Sequence, residues 1–363
     1  MNHPTEFYIT NNQDLEFVLK LISQAKLVAI DTEFTREKTY YPILSLIQIA
    51  VKDKDQKRSF IVDCLAEIDL EPLFQIISDK RITKILHSSL QDLQIFHYKS
   101  KMQPVSISDT QIMANFCGLG FNVGYSALVE NFFQKEIDKS QQRSDWQKRP
   151  LAEKQIEYAL SDVFYLEEIQ EKLLKILEEK GRKEWYLEEV KNFTTNTIIQ
   201  LDENLFKNFV FKRKTKAQIA KIKKLILWRE SWAKKLDLPR QHFIRDNVIE
   251  KIVIFNDLDL NFDKFMIDEI KEILNQNDLS EEFDLDTDSE EKSFFMTADQ
   301  KETYKKAKIM IAKMAFKENF KEQFLITSSA LKSLICGHKT VDQLLCNWRY
   351  QLFGENLKQL ISK

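Results

Sequence analysis

The first two hundred residues alternate between two periodicities. Residues 27–34 (LVAIDTEF) begin as an apolar, β-rich run and end acidic, and 44–51 (LSLIQIAV) and 60–62 are further apolar runs of strand length. Residues 82–86 and 105–107 are shorter runs of the same type. Between them, apolar positions recur at helical spacing over 15–25, 70–77, 90–98, 111–116 and 126–133. The segment 151–180, between Pro150 and Gly181, reads as one long helix. Strands alternating with helices predict an α/β domain over residues 1–200. From about residue 204 the strand signals nearly vanish and a 3.6-residue period dominates. Two all-α modules are expected, over 207–290 and 297–363, with the acidic stretch 281–292 as their linker.

Composition narrows the class. A chain of 363 residues is longer than one core usually serves, and 43% hydrophobic with 30% charged residues is ordinary for a soluble globular protein. No run approaches the length of a membrane span, and the polar N-terminus lacks a basic stretch followed by an apolar one. A cytoplasmic protein without a membrane partner is expected. Cys64, Cys117, Cys336 and Cys346 form no CxxC pair and no zinc-type spacing with histidine, so they read as reduced thiols. A metal site would therefore be built from oxygen ligands, which suits magnesium or manganese. The net charge of −2 hides local extremes. Residues 207–251 carry 14 basic and 4 acidic side chains, 257–299 carry 3 and 15, and 300–363 carry 12 and 5. The two basic segments suit a polyanionic partner, although solvated helix faces give the same counts.

Three short constellations carry chemistry. Asp31 and Glu33 stand two apart at the end of the first long strand, so both carboxylates point to one face. A surface pair near a loop is the plain alternative. Asp92 falls in the first turn of a helix, where the helix dipole favours a carboxylate with or without function. Tyr158 and Asp162 are four apart and share one helix face. Each constellation alone is weak.

Together, in this order and spacing, they resemble the three motifs of the DEDDy branch of the DEDD 3′→5′ exonuclease superfamily, most closely the bacterial ribonuclease D family. Further text agrees: Thr39-Tyr40-Tyr41-Pro42 with Leu46-Ile47-Gln48, Asp109-Thr110, and Lys139, Arg143-Ser144-Asp145-Trp146 and Arg149-Pro150-Leu151. The resemblance covers about residues 5–170. It implies a ribonuclease H-like exonuclease domain, a mixed sheet flanked by helices. It also implies that Asp31, Glu33, Asp92 and Asp162 hold two divalent metal ions, Mg2+ or Mn2+, and that Tyr158 orients the attacking water. The implied reaction removes nucleoside 5′-monophosphates from RNA with a free 3′ end, tRNA precursors among them. A DNA exonuclease and a non-catalytic nucleic-acid binder are the alternatives. Phe34, Tyr40, Tyr41, His87, Lys139 and Trp146 are candidate substrate contacts, each with a packing role as the alternative. Residues 212–251, with Trp228-Arg229-Glu230 and Leu238-Pro239-Arg240, and 341–360, with Trp348-Arg349, Leu352 and Gly354, resemble the helical HRDC module. Trp228 and Trp348 are expected in the cores of those bundles. A monomer is expected.

Overall fold

The computed structural model describes residues 7–54, 56–206, 209, 211, 214–276, 296–345 and 347–362, with the side chains of 196–204 left aside. The acidic stretch 281–292 and Cys346 lie outside the described residues. Six strands, β1 (Tyr8–Ile9), β2 (Leu27–Thr35), β3 (Ile43–Asp53), β4 (Gln56–Asp63), β5 (Thr83–Leu86) and β6 (Ile107–Asp109), form one sheet in the order β1-β4-β3-β2-β5-β6. The sheet is mixed. β3 and β4 pair antiparallel, whereas β1 with β4, β2 with β5, and β5 with β6 pair parallel.

Strand alternation divides β2 between two faces. Val28 and Ile30 join Ile47 and Ile49 of β3 against α1 (Asn12–Gln24), α2 (Glu71–Ile77) and α3 (Leu90–Ser100), through Leu15, Val18, Phe74 and Phe96. Ala29 lies on the opposite face with Ala50 and Ile85, and packs on Val163 and Leu166. Asp31 and Glu33 have the parity of Ala29, so they sit on that second face. After α4 (Thr110–Cys117) and α5 (Tyr125–Phe133) come α6 (Glu153–Phe164) and α7 (Leu166–Glu179). The segment expected as one helix over 151–180 is thus two, with Leu151 and Ala152 outside the first. The break at Tyr165 has a cause. In an unbroken helix the Tyr165 N–H would donate to the Ser161 carbonyl. Instead the Tyr125 hydroxyl is inserted between them, donating to Ser161 O at 2.6 Å and accepting from Tyr165 N at 3.1 Å.

Residues 1–35, 44–198 and 296–363 form one compact unit. α8 (Lys183–Glu203) begins in it, where the Tyr186 hydroxyl lies 3.2 Å from Ser108 Oγ of β6. The C-terminal elements are α13 (Ala298–Glu318), α14 (Glu322–Leu325), α15 (Ser328–Ile335), α16 (Val341–Leu344), α17 (Asn347–Arg349) and α18 (Glu355–Ile361). They share a core with α4, α7 and α8, where Phe116, Leu173 and Tyr186 meet Phe324, Trp348 and Phe353. Glu189 accepts two bonds from Arg349, at 2.6 and 2.8 Å, and one from Trp348 Nε1 at 3.0 Å. A Cβ at Gly354 would lie 2.6 Å from the Tyr350 ring, which accounts for glycine there.

The second unit comprises 36–43 and 199–295. Its helices are α9 (Lys216–Leu236), α10 (Arg240–Phe243), α11 (Asp246–Phe255) and α12 (Lys264–Asn275), packed through Ile222, Leu225, Trp228, Ile249 and Ile270. Thr215 and Gln218 close a capping box at the start of α9. Trp228 and Trp348 are both buried. These units divide the chain differently from the three consecutive segments expected. Helical spacing marks a buried face but not what covers it, so the sharing of a core by 113–190 and 307–357 was not readable.

Candidate active site

The site is built from three elements: β2, α6 packed on the second face of the sheet, and α3 packed on the first. β2 presents Asp31 and Glu33. α3 presents Asp92 in its first turn, and Thr32, facing the other way from its neighbours, donates its hydroxyl to Asp92 Oδ1. α6 presents Tyr158 and Asp162 one turn apart, close enough for each to shift the titration of the other. Asp109 anchors the turn before α3 by accepting from Ser89 N and Ser89 Oγ, both at 2.8 Å, while capping α4. Behind α6, Trp146 is buried with its ring 5.9 Å from that of Tyr158. Arg149 holds the preceding loop to the sheet with a two-pronged bond to Asp63, at 2.6 and 2.7 Å.

Electrostatics marks these carboxylates. Burial, followed by repulsion from Asp92, Asp162 and Glu33, pushes Asp31 well above the usual carboxylate range. Burial and then Asp162 and Asp92 push Glu33 up to about 9. Burial raises Asp92 to about 6, against the hydrogen bond from Thr32, and Asp162 to about 7, against the bond from Tyr158. The Tyr158 phenol is raised too, by burial and then by Asp162, Glu33 and Asp31. Four carboxylates facing one another without a cation are a donor set suited to hard divalent ions. Among the described residues, however, no three acidic, histidine or cysteine side chains already close on a single point as one ion would require.

A cleft of about 280 Å3 opens beside Asp31, Tyr158 and Asp162. His87 and Lys139 line it, together with residues the sequence did not suggest, among them Gln111, Tyr125 and Gln142. The β2–β5 register pairs Leu27 with Thr83 and Ala29 with Ile85, and continuing that offset sets His87 beside Asp31. His87 Nδ1 lies 2.9 Å from Thr110 Oγ1. Phe34 packs against the first-face core. Tyr40 and Tyr41 belong to the second unit, where the Tyr40 hydroxyl bonds Glu230, Arg240 lies 5.3 Å from its ring, and Tyr41 N donates to Asp237 at 3.0 Å. Thr32 could have been suspected from its place inside the motif. Nothing local distinguishes Tyr125 or Gln111.

This fold and this arrangement of side chains define a class of nuclease, and residues 7–178 match the family model described as 3'-5' exonuclease. A ribonuclease D of Bartonella henselae is 30% identical over 97% of this chain and 89% of its own length. A ribonuclease D of Gluconacetobacter diazotrophicus is 35% identical over 69% of this chain and 63% of its own length. Among solved structures, RNase D of Escherichia coli, described as an exoribonuclease involved in structured RNA processing, is 25% identical with a TM-score of 0.76, covering 100% of this chain and 99% of that one. The chain belongs to the ribonuclease D family of 3′→5′ exonucleases. It is a hydrolase acting on RNA from the 3′ end, in a family that is generally metal-dependent. No helix among the described residues is long and apolar enough to cross a membrane.

Proposed function

We propose that this exoribonuclease trims the 3′ ends of tRNA precursors and other small structured RNAs, releasing nucleoside 5′-monophosphates. The observation that carries the reading is the set of four carboxylates, each raised by burial and two of them, Asp31 and Glu33, also by their neighbours, beside Tyr158 on the helix of Asp162. Asp31, Glu33, Asp92 and Asp162 would hold two divalent ions, Mg2+ or Mn2+. When bound, these ions lower the pKa of the attacking water and offset charge on the phosphodiester. Tyr158 stays protonated at neutral pH, because burial and then the nearby Asp162, Glu33 and Asp31 raise its phenol. Its free lone pairs accept from the water, which makes it a positioning group and not a base. Thr32 fixes Asp92 through its hydroxyl. His87 and Lys139 support the substrate end from the cleft wall, and Trp146 from beneath Tyr158. The HRDC-like modules, 207–290 and 297–363, help to hold the RNA, and the enzyme works as a cytoplasmic monomer.

The test is direct. Asp31→Asn and Asp162→Asn are assayed on a 3′-extended tRNA with magnesium or manganese, beside a matched DNA strand. Each variant is expected to lose at least about 10²-fold in rate, since charge compensation by the ions is worth several kcal/mol. Full retained activity would overturn the site, and faster cleavage of DNA would overturn the substrate.

A further inference from the structure

Far along the chain from the catalytic motifs, α13 carries an anomaly. Phe316 is 90% exposed, and Ile309, two turns earlier on the same face, is 58% exposed. Phe316 is the most exposed large hydrophobic side chain among the described residues. It edges a groove of about 700 Å3 between α13, α14 and the start of α15. Ile311, Phe320 and Leu331 form the apolar floor, and Lys308 and Lys321 stand at the rim. Neither lysine has an ion-pair partner among the described residues. One acidic side chain, Glu322, also lines the groove, while nearby Glu318 is committed to Arg182 at 2.8 Å. Lys305, Lys313 and Lys317 extend the basic character along the same helix, and residues 300–363 carry 12 basic and 5 acidic side chains.

An exposed aromatic ring set among lysines over an apolar floor is the chemistry that receives unpaired nucleotides. The ring stacks on a base whatever its identity, and the ammonium groups meet the backbone phosphates. A peptide partner would be served equally by the apolar floor, but it gives no reason for the cationic rim. We propose that this groove is a second RNA subsite, outside the catalytic cleft, which holds a single-stranded stretch of the substrate with a base on Phe316 and phosphates on Lys308 and Lys321. The inference rests on the reading of the enzyme as an exoribonuclease. It adds a contact that only substrates longer than the catalytic cleft can reach.

Phe316 is so exposed that its removal leaves packing intact, which makes Phe316→Ala a clean probe. Two measurements are made on the full chain. In the first, cleavage of a 20-nucleotide single-stranded RNA is compared with that of a tetranucleotide. The 20-mer-to-tetramer ratio of kcat/KM is expected to fall about 5-fold or more in Phe316→Ala, the usual loss for one stacked base. In the second, binding of the 20-mer is followed by anisotropy across a salt series, in an Asp162→Asn background. Lys308→Ala with Lys321→Ala should lower the slope of log Kd against log salt by about 1.4, at about 0.7 per phosphate on a single strand. Phe316→Ala should weaken binding with the slope unchanged. A wild-type enzyme that trims RNA while Phe316→Ala keeps the ratio and the affinity overturns the subsite alone. A wild-type enzyme that trims no RNA overturns the functional reading beneath it. Loss of self-association in Phe316→Ala by sedimentation, with RNA binding intact, assigns the groove to a second copy of the chain and overturns the subsite too.

Discussion

At the scale of single residues, the carboxylates carry an electrostatic load that their sequence positions did not disclose. Glu33 is pushed up to about 9, while its unfolded value lies near 4.3. Between those values the folded, metal-free protein holds a proton that the unfolded chain has released. Fewer protons bound in the unfolded state means that stability falls as pH rises through this window. Asp31 and Asp162 shift in the same direction. His87 and Lys84 are lowered instead and give opposing slopes, so the comparison needs an internal reference. Glu33→Gln supplies it, because glutamine cannot ionise. In a chelating buffer the variant is expected to gain on wild type in melting temperature as pH rises from 6 to 9, and to lose that advantage when magnesium is restored to wild type. A constant difference across pH would contradict the raised Glu33. Spacing showed the shared faces of Asp31 with Glu33 and of Tyr158 with Asp162, and the five residues stood out as one set only through the resemblance. Tyr125 was not legible, because its partner, Ser161, lies 36 residues away.

At the scale of elements, the strands were read well wherever an apolar run was long enough to be covered on both faces, as in β2 and β3. The two-residue β1 left no pattern to find. The misread helix is more instructive. The heptad-like spacing over 151–180 is continuous, and no glycine or proline interrupts it. The interruption comes from a side chain on another helix, and it falls three residues after Asp162. The Tyr125 hydroxyl both ends α6 and starts α7, so it sets the direction in which Asp162 and Tyr158 are presented. Tyr125→Phe removes that hydroxyl and leaves the ring. It should cost about 1–3 kcal/mol, the usual range for leaving a buried polar group without its partner, unless Tyr165 N re-forms the regular bond to Ser161 O. That re-formation would rotate α6 against β2. Either outcome lowers the rate. A variant with wild-type melting temperature and wild-type activity would show that the inserted hydroxyl does not position α6.

At the scale of the whole molecule, what matters is which segments fold on one another within a unit. The expectation of a separate helical module over 297–363 suggests a segment that could be removed. Its packing argues otherwise. Phe116 of α4 is fully buried by Trp348, Phe324 and Phe320, with ring centroids 5.0, 5.0 and 6.0 Å away. Trp185 stacks on Trp348 at 5.6 Å. Arg182 reaches Phe116 O at 3.0 Å and Glu318 Oε2 at 2.8 Å, so one guanidinium bridges the exonuclease helices and the C-terminal segment. These contacts supply the outer wall of the core formed by α4, α7 and α8. Truncating Trp348 to alanine should cost about 3–5 kcal/mol, the range for a large aromatic leaving a core. That is a substantial part of the stability of any single domain. Deleting 296–363 should do more, because it bares Phe116, Tyr186 and their neighbours together. The shortened chain is therefore expected to melt well below the full one and to aggregate, with its catalytic residues intact but its trimming activity largely lost. The measurement is a thermal melt of the deletion variant beside Trp348→Ala and the full chain, with activity on the tetranucleotide followed in parallel. A deletion variant that stays soluble, melts with the full chain and trims the tetranucleotide at the full rate would show that the C-terminal helices are an independent module after all.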